Sequence, residues 1–250
     1  MIDIHSHILS ETDDGAVSLE DSLKIIQEAI EAGFTKIIST SHYYEGRFEK
    51  DEYFRKEKIN NLRNMTGNFD LRIGSEIFAT PDIIELLKEK KASSIDNTRY
   101  VLFEIPFGNN VSFFNKMIDD LKRNNYLPIM AHPERYEIVK NNPKLVEEWK
   151  HRGIYMQSNF ESITGKYGKE SEETVKLLLR HKLVDFLGSD VHRVGTYEKV
   201  SIAIDKIRKM VDERYFIELT QMNQEKLLRN EKIEVEDQDE IKKTIFGGYK

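Results

Sequence analysis

Two pairs of potential metal ligands with the same spacing stand near opposite ends of the chain. His5 and His7 are two residues apart, and so are Asp190 and His192. Residues two apart on a β-strand project from the same face, so each pair can reach a single metal ion. Each pair therefore predicts part of a metal site at the end of a strand.

Other imidazole and carboxylate groups follow, or lie within, short apolar runs. Asp14 belongs to an Asp-Asp-Gly turn just after the first histidine pair. Glu76 and Glu104 lie in apolar runs, where a buried carboxylate needs a partner because burying an unpaired charge is costly. A metal ion is one such partner, and a salt bridge to Arg72 or Arg99 is the alternative.

The predicted ligands outnumber what one ion can use, which indicates a cluster of two or three ions. Since the donors are nitrogen and oxygen, the site suits manganese, with iron or zinc as alternatives. Arg135 follows a predicted ligand in the loop after a strand and suits phosphate; together with His42 and His192 it is predicted to be catalytic. The nine predicted metal ligands are His5, His7, Asp14, His42, Glu76, Glu104, His132, Asp190 and His192.

Strands and helices alternate along the whole sequence, which predicts an α/β fold with parallel strands. Such strands form either a closed barrel or an open doubly wound sheet. The polar residues stand at the strand ends, and a barrel gathers those ends on one face, so we expect a barrel. Nothing divides the chain, and residues 1–250 are predicted to form one domain. Seven strands are predicted, at Ile2–His5, Lys36–Ser39, Leu71–Glu76, Tyr100–Ile105, Leu127–Ala131, Ile154–Ser158 and Val184–Gly188.

The composition excludes several classes of protein. The 250 residues include no cysteine, which rules out disulfides, thiolate metal sites and a cysteine nucleophile. A net charge of −6 argues against nucleic acid as a partner, because duplex binding depends on basic patches. The sequence has no apolar run long enough to span a membrane, and its start lacks the features of a signal peptide. We therefore expect a cytoplasmic protein with no membrane insertion.

The motifs, taken in order, resemble the polymerase and histidinol phosphatase (PHP) superfamily. Within it the chain is most similar to the bacterial manganese-dependent tyrosine phosphatases of capsular and exopolysaccharide operons. The resemblance covers nearly the whole chain, and the segments that begin at Met1 and His132 are its most specific parts. The matching segments are Asp3-Ile4-His5-Ser6-His7, Asp13-Asp14-Gly15, Ser41-His42, Glu76, Glu104, Ala131-His132-Pro133-Glu134-Arg135-Tyr136 and Ser189-Asp190-Val191-His192.

This resemblance implies a distorted seven-stranded (β/α) barrel of the PHP type that holds three metal ions. It also implies hydrolysis of phosphotyrosine on the tail of a membrane-associated tyrosine autokinase, and through it control of polysaccharide synthesis. Glu76 would bridge two of the ions. The implied ligand sets are His5, His7, Glu76 and Asp190 for one ion, Glu76, Glu104 and His132 for a second, and Asp14, His42 and His192 for a third.

The sequence departs from the family at one position and leaves other functions open. Relatives commonly have a phosphate-binding arginine shortly after the Asp-x-His motif, where this chain has Tyr197. Arg135 matches the family, whereas Arg47 and Arg193 are only nearby candidates for phosphate contacts. A small-molecule phosphatase, such as a histidinol phosphatase, is the main alternative. A metal-dependent amidohydrolase is disfavoured because no lysine occupies Tyr100–Ile105. A non-catalytic metal-stabilised module is disfavoured by Arg135 and the surplus of ligands.

Overall fold

Short runs that contain β-branched residues form the strands, and the first of them, Ile2–Ser6, is buried throughout. The structure is a computed structural model that describes residues 1–67, 69–106, 113–234, 241–242 and 249. The strands in these residues are β1 (Ile2–Ser6), β2 (Lys36–Ser39), β3 (His42–Tyr43), β4 (Asp70–Ile73), β5 (Glu76–Phe78), β6 (Tyr100–Glu104), β7 (Leu127–Ala131), β8 (Tyr155–Asn159) and β9 (Phe186–Gly188).

Helices connect most successive strands, whereas two residues join β2 to β3 and two join β4 to β5. The first helix begins after Ser18, whose side chain accepts a hydrogen bond from the backbone N–H of Asp21. Its residues Ile25 and Ile26 are buried. The helices are α1 (Leu19–Glu31), α2 (Glu52–Met65), α3 (Ile83–Lys88), α4 (Phe114–Arg123), α5 (Glu137–Asn141), α6 (Lys144–His151), α7 (Lys169–Arg180), α8 (Thr196–Arg208), α9 (Glu213–Ile217) and α10 (Asn223–Leu228). Short 3-10 turns lie at Ile95–Asn97, Pro133–Arg135 and Phe160–Thr164, and a π turn lies at Glu218–Met222.

The strands form two parallel sheets that continue into each other. One sheet has the order β1-β2-β4, and the other has the order β3-β5-β6-β7-β8-β9. Backbone hydrogen bonds join β1 to the segment after β9, from Asp190 N to His5 O (2.8 Å) and from His7 N to Val191 O (2.9 Å). The parallel sheet is therefore curled, and the carboxyl ends of its strands lie at one rim.

Alternate residues of the strands belong to two apolar clusters. Ile4, Leu102 and Ile129 belong to a cluster drawn mainly from strands. Their neighbours Phe103 and Met130 belong to a larger cluster that also contains helix residues. The sheet is thus covered on both faces, and this explains why strands such as β6 carry apolar residues at successive positions.

The predicted α/β class with parallel strands is confirmed, but the predicted count of seven strands is wrong. Each predicted strand overlaps an observed one, yet the run Leu71–Glu76 breaks at Gly74 into β4 and β5. A Cβ atom at Gly74 would lie only 3.2 Å from Ile95 Cα, so the backbone passes the turn at Ile95–Asn97 very closely. The two-residue strand β3 is too short to produce a periodic signal. The division into one domain stays a prediction.

Candidate metal centre

Several of the predicted ligands lie at the rim formed by the carboxyl ends of the strands. Glu76 begins β5, Glu104 ends β6, and His132 directly follows β7. Together with Asp190, which lies two residues after β9, they line a cleft of about 260 Å³. His5 is fully buried behind the cleft. The fold therefore gathers residues that lie far apart in the sequence.

Glu76 is the centre of this arrangement. Its fully buried carboxylate faces four imidazoles. Glu76 Oε2 lies 3.1 Å from His5 Nε2, 3.3 Å from His7 Nε2 and 3.1 Å from His42 Nδ1. Glu76 Oε1 lies 2.9 Å from His132 Nε2. One carboxylate with its two oxygens directed at separate sets of nitrogen atoms has the geometry of a bridging ligand.

The described residues contain three groups whose ligand atoms lie within 4.8 Å of one another: His5, His7, Glu76 and Asp190; His42, Glu76 and Glu104; and His7, Asp14, His42 and His192. These groups overlap with the sets that the family resemblance implies, and they differ in two respects. His7 also joins the third group. In the group with Glu76 and Glu104, His42 takes the place of His132, whose Nε2 is 2.9 Å from Glu76 but 4.0 Å from Glu104. Metal ligation itself stays a prediction for all nine residues.

His5 in β1 and His7 just after it are each oriented through their second ring nitrogen. His5 Nδ1 lies 2.7 Å from Gln157 Oε1, and His7 Nδ1 lies 2.7 Å from Asp13 Oδ2. Both acceptors favour a proton on Nδ1, which leaves each Nε2 with a lone pair. The two Nε2 atoms are 3.2 Å apart and both face Glu76. Converging lone pairs beside carboxylates need a cation, so the residues present fit a metal ion.

Asp13 and Gln157 were not predicted from the sequence. The Asp-Asp-Gly sequence predicts only a turn at Asp13, but this residue also accepts a hydrogen bond from His42 N (2.8 Å) through the oxygen that faces His7. A polar Gln157 in the middle of a buried strand was a signal that could have been used. Asn159, in the same strand, donates to Asp190 Oδ2 at 2.7 Å.

A buried frame behind the site explains the departure at Tyr197. Asp3 Oδ1 accepts hydrogen bonds from the backbone N–H groups of His5 (3.1 Å) and Ser189 (3.0 Å). Tyr197 is fully buried, and its hydroxyl donates to Asp3 Oδ2 at 2.7 Å. The tyrosine thus packs under the ligand-bearing strands. In the same frame, Gly188 lets β9 approach β1 closely, since a Cβ atom there would lie 2.7 Å from His5 Cβ.

Two of the predicted ligands have unusual backbone conformations. His132 has φ 36° and Asp190 has φ 52°, in the left-handed region that L-residues rarely occupy. Backbone strain of this kind persists only where the surroundings hold it and is concentrated at functional sites. Both residues turn their side chains toward the cleft at the point where a strand ends.

Among the described residues, Arg72 and Arg99 are not the partners of Glu76 and Glu104. Arg72 pairs with Asp70 and Asp96, and Arg99 donates to Asn230. The alternative considered from the sequence is therefore wrong for both Glu76 and Glu104.

The electrostatics show that the carboxylates and imidazoles depend on each other. Burial raises the pKa of Glu76, but the imidazoles of His5, His42 and His132 outweigh it and hold the pKa well below its usual range. Burial lowers the pKa of His5, but Glu76 and Asp190 outweigh it and raise that pKa to about 9. Without a metal the site therefore holds protons at neutral pH, and a metal cation would replace them.

Two arginines, Arg135 and Arg47, line the cleft, whereas Arg193 binds the backbone of neighbouring loops. Arg135 Nη1 donates to Asp190 Oδ2 at 2.9 Å, and its guanidinium lies 4.4 Å from the centre of the Tyr167 ring. Arg47 lines the same cleft from the segment after β3. Arg193 instead donates to backbone carbonyls, including that of Asp14 at 2.6 Å, and so holds the loops beneath the site.

Comparison with known proteins agrees with a metal centre at this position. Residues 1–229 match the family described as "Capsular polysaccharide synthesis, CpsB/CapC". The chain belongs to this CpsB/CapC family. The tyrosine-protein phosphatase YwqE of Bacillus subtilis is 28% identical over 100% of both chains. A crystal structure described as YwqE and CpsB from Streptococcus pneumoniae, "unique metal-dependent tyrosine phosphatases", superposes with a TM-score of 0.83 at 28% identity over 96% of this chain and 97% of that one.

A more distant structure shares the fold alone. Histidinol phosphate phosphatase of Lactococcus lactis superposes with a TM-score of 0.53 at 17% identity, over 83% of this chain and 95% of that one. The predicted family and the enzyme class that it implies, a metal-dependent phosphatase, are confirmed for this CpsB/CapC family member. In the described part of the chain, each helix is too short or too polar to cross a lipid bilayer.

Proposed function

We propose that this CpsB/CapC family member hydrolyses phosphotyrosine on the tail of a membrane-associated tyrosine autokinase and thereby regulates capsular or exopolysaccharide synthesis. Manganese is the proposed native metal, with two or three ions per chain, and the proposed location is the cytoplasm. The observation that carries the proposal is the Glu76 carboxylate, which faces four imidazoles at the floor of a cleft with arginines in its walls.

The residues around the cleft suit a phosphate monoester. Metal ions, when bound, supply Lewis acidity that neutralises phosphate oxygens and makes water a stronger nucleophile near neutral pH. Arg135 is the proposed phosphate clamp because its guanidinium is held in place by Asp190 and Tyr167. Arg47 is the proposed second cation, and it takes over a contact that Tyr197, buried in the frame, does not make.

The mouth of the cleft is formed in part by His42 and His192, which are less buried than His5 of β1 and Glu76 of β5. The side chain of His42 is 14% exposed and that of His192 is 29% exposed. Both imidazoles therefore lie where a phosphate group would enter. Since the chain has no cysteine, the thiol nucleophile of other tyrosine phosphatases is absent and no phosphocysteine forms.

The experiment combines metal analysis with a substrate panel. The protein is chelated, its metal content is measured, and activity is assayed after adding back manganese, iron or zinc. We expect chelation to abolish activity, manganese to restore it, and phosphotyrosine peptides to be preferred over histidinol phosphate. Full activity after complete removal of metal would contradict the metal mechanism. A preference for histidinol phosphate would favour the small-molecule alternative.

A further inference from the structure

A second cavity, of about 360 Å³, opens beside the metal cleft. Its walls include the rings of Tyr44 and Phe78, with Pro81 and Leu86 as further apolar residues. Among the described residues that line it, the charged one is Glu45, and Thr80 adds a hydroxyl group. The cavity therefore suits an apolar or aromatic group with a polar tip and disfavours an anion.

The wall between the two cavities is a stacked pair of aromatic rings. Tyr44 and Phe78 line both cavities, and their ring centroids are 4.1 Å apart with the planes at 10°. Tyr44 follows His42 by two residues, and Phe78 follows Glu76 by two. His42 and Glu76 are paired directly in the sheet. The two strands that present metal-site residues therefore continue into the wall of the second cavity.

We propose that this second cavity is a substrate subsite that takes an aromatic side chain flanking the phosphotyrosine of a peptide. This inference rests on the proposed function, since it concerns the peptide that the metal cleft hydrolyses. Neighbouring Cα atoms in a peptide are only 3.8 Å apart, so a flanking side chain lies within reach once the phosphate is in the cleft. An aromatic ring can stack on the exposed side of the Tyr44–Phe78 pair.

Polar groups at the rim extend this argument. Glu45 is exposed and Thr80 is half-buried, so both can accept a hydrogen bond from a phenol hydroxyl. Buried tyrosine rings usually keep such a partner. A flanking tyrosine therefore matches the cavity on both its apolar walls and its polar rim, whereas a flanking glutamate would meet Glu45.

The first test needs no variant. Wild-type protein with bound manganese is assayed on phosphotyrosine peptides that carry tyrosine, phenylalanine, leucine, glutamate or alanine next to the phosphotyrosine. Para-nitrophenyl phosphate serves as the substrate without a flank. We expect kcat/KM to be about tenfold higher for the tyrosine- and phenylalanine-flanked peptides than for the alanine-flanked one, the low end of what burying an aromatic side chain yields. Equal values for all flanks, or a preference for leucine, would overturn the inference.

The second test fills the cavity. Thr80→Trp places a large ring at the rim, and Ile202→Trp is the matched control because Ile202 lines a different cavity of about 360 Å³. We expect Thr80→Trp to lower kcat/KM for the aromatic-flanked peptides to the alanine value, with para-nitrophenyl phosphate hydrolysis and metal content unchanged. Ile202→Trp should match wild type on every substrate.

The outcomes separate this inference from the proposed function. If para-nitrophenyl phosphate and peptides are hydrolysed without regard to the flank, the protein is a phosphatase and the subsite is refuted. If Thr80→Trp slows para-nitrophenyl phosphate as much as the peptides, the cavity is part of the cleft itself and the subsite is again refuted. If no phosphotyrosine ester is hydrolysed, the proposed function fails and the subsite fails with it.

Discussion

Replacement of Glu76 by glutamine tests the core of the proposed site. The change keeps the size of the side chain and removes its charge. Glu76 belongs to two of the three ligand groups, so one substitution removes a carboxylate ligand from both. Loss of even an outer-shell partner of a metal ligand typically costs about 10–100-fold in affinity. We take the upper end for a direct ligand, which is about 2.7 kcal/mol at each of two positions.

The expected result is loss of metal from both positions that Glu76 serves and a fall in turnover of at least about 100-fold. Metal content is measured after equilibration with manganese, and activity is then titrated with the ion. Glu104→Gln is the matched comparison, because Glu104 belongs to one group only. Glu104→Gln should therefore weaken metal binding at one position only. Glu52→Gln controls for a buried carboxylate elsewhere, since Glu52 contacts Ser93 on another part of the protein.

Bridging by Glu76 would be refuted by a Glu76→Gln protein with the metal content and manganese response of the wild type. It would also be refuted if Glu76→Gln and Glu104→Gln lost the same amount of metal. In the first case Glu76 would serve only to balance the charge of the surrounding imidazoles. In the second case it would be an ordinary ligand of one ion.

Three further predictions follow from the same contacts. Arg135→Ala should lower kcat/KM on phosphotyrosine peptides roughly 10- to 150-fold, because a charge-assisted contact to phosphate worth about 1.5–3 kcal/mol is lost. Unchanged kinetics would show that Arg135 does not contact the phosphate. The pKa of His5 is raised to about 9, so its protonation stabilises the folded, metal-free protein. This stabilisation is fully present below pH 6.5, the pKa of the unfolded state, and is lost as the pH rises through 9. The melting temperature of the chelated protein should therefore fall between pH 6.5 and 9, while its manganese affinity rises. Opposite trends would contradict this role of His5. Gln157→Leu should weaken manganese binding about 10- to 100-fold without unfolding the protein, because His5 loses its Nδ1 partner; equal affinity by titration would exclude that role.

Much of the site could be predicted from the sequence because its signals are local. Pairs two residues apart on a strand must share a face, as His5 and His7 do. Carboxylates in apolar runs need partners, and the structure places Glu76 among imidazoles. The alternation of strands and helices indicates parallel strands whose carboxyl ends share a rim. These conclusions need residue types and short spacings only.

The tertiary structure alone decided how the groups face one another. The role of Asp13 depends on a contact with a ring nitrogen of His7, and the role of Gln157 depends on one with His5, on a distant strand. One predicted strand, Leu71–Glu76, is split into two because the backbone at Gly74 passes Ile95 closely. Arg47 lines the cleft and Tyr197 does not, because one follows a strand end and the other packs under Asp3. Such contacts join residues far apart in the sequence, and no local pattern specifies them.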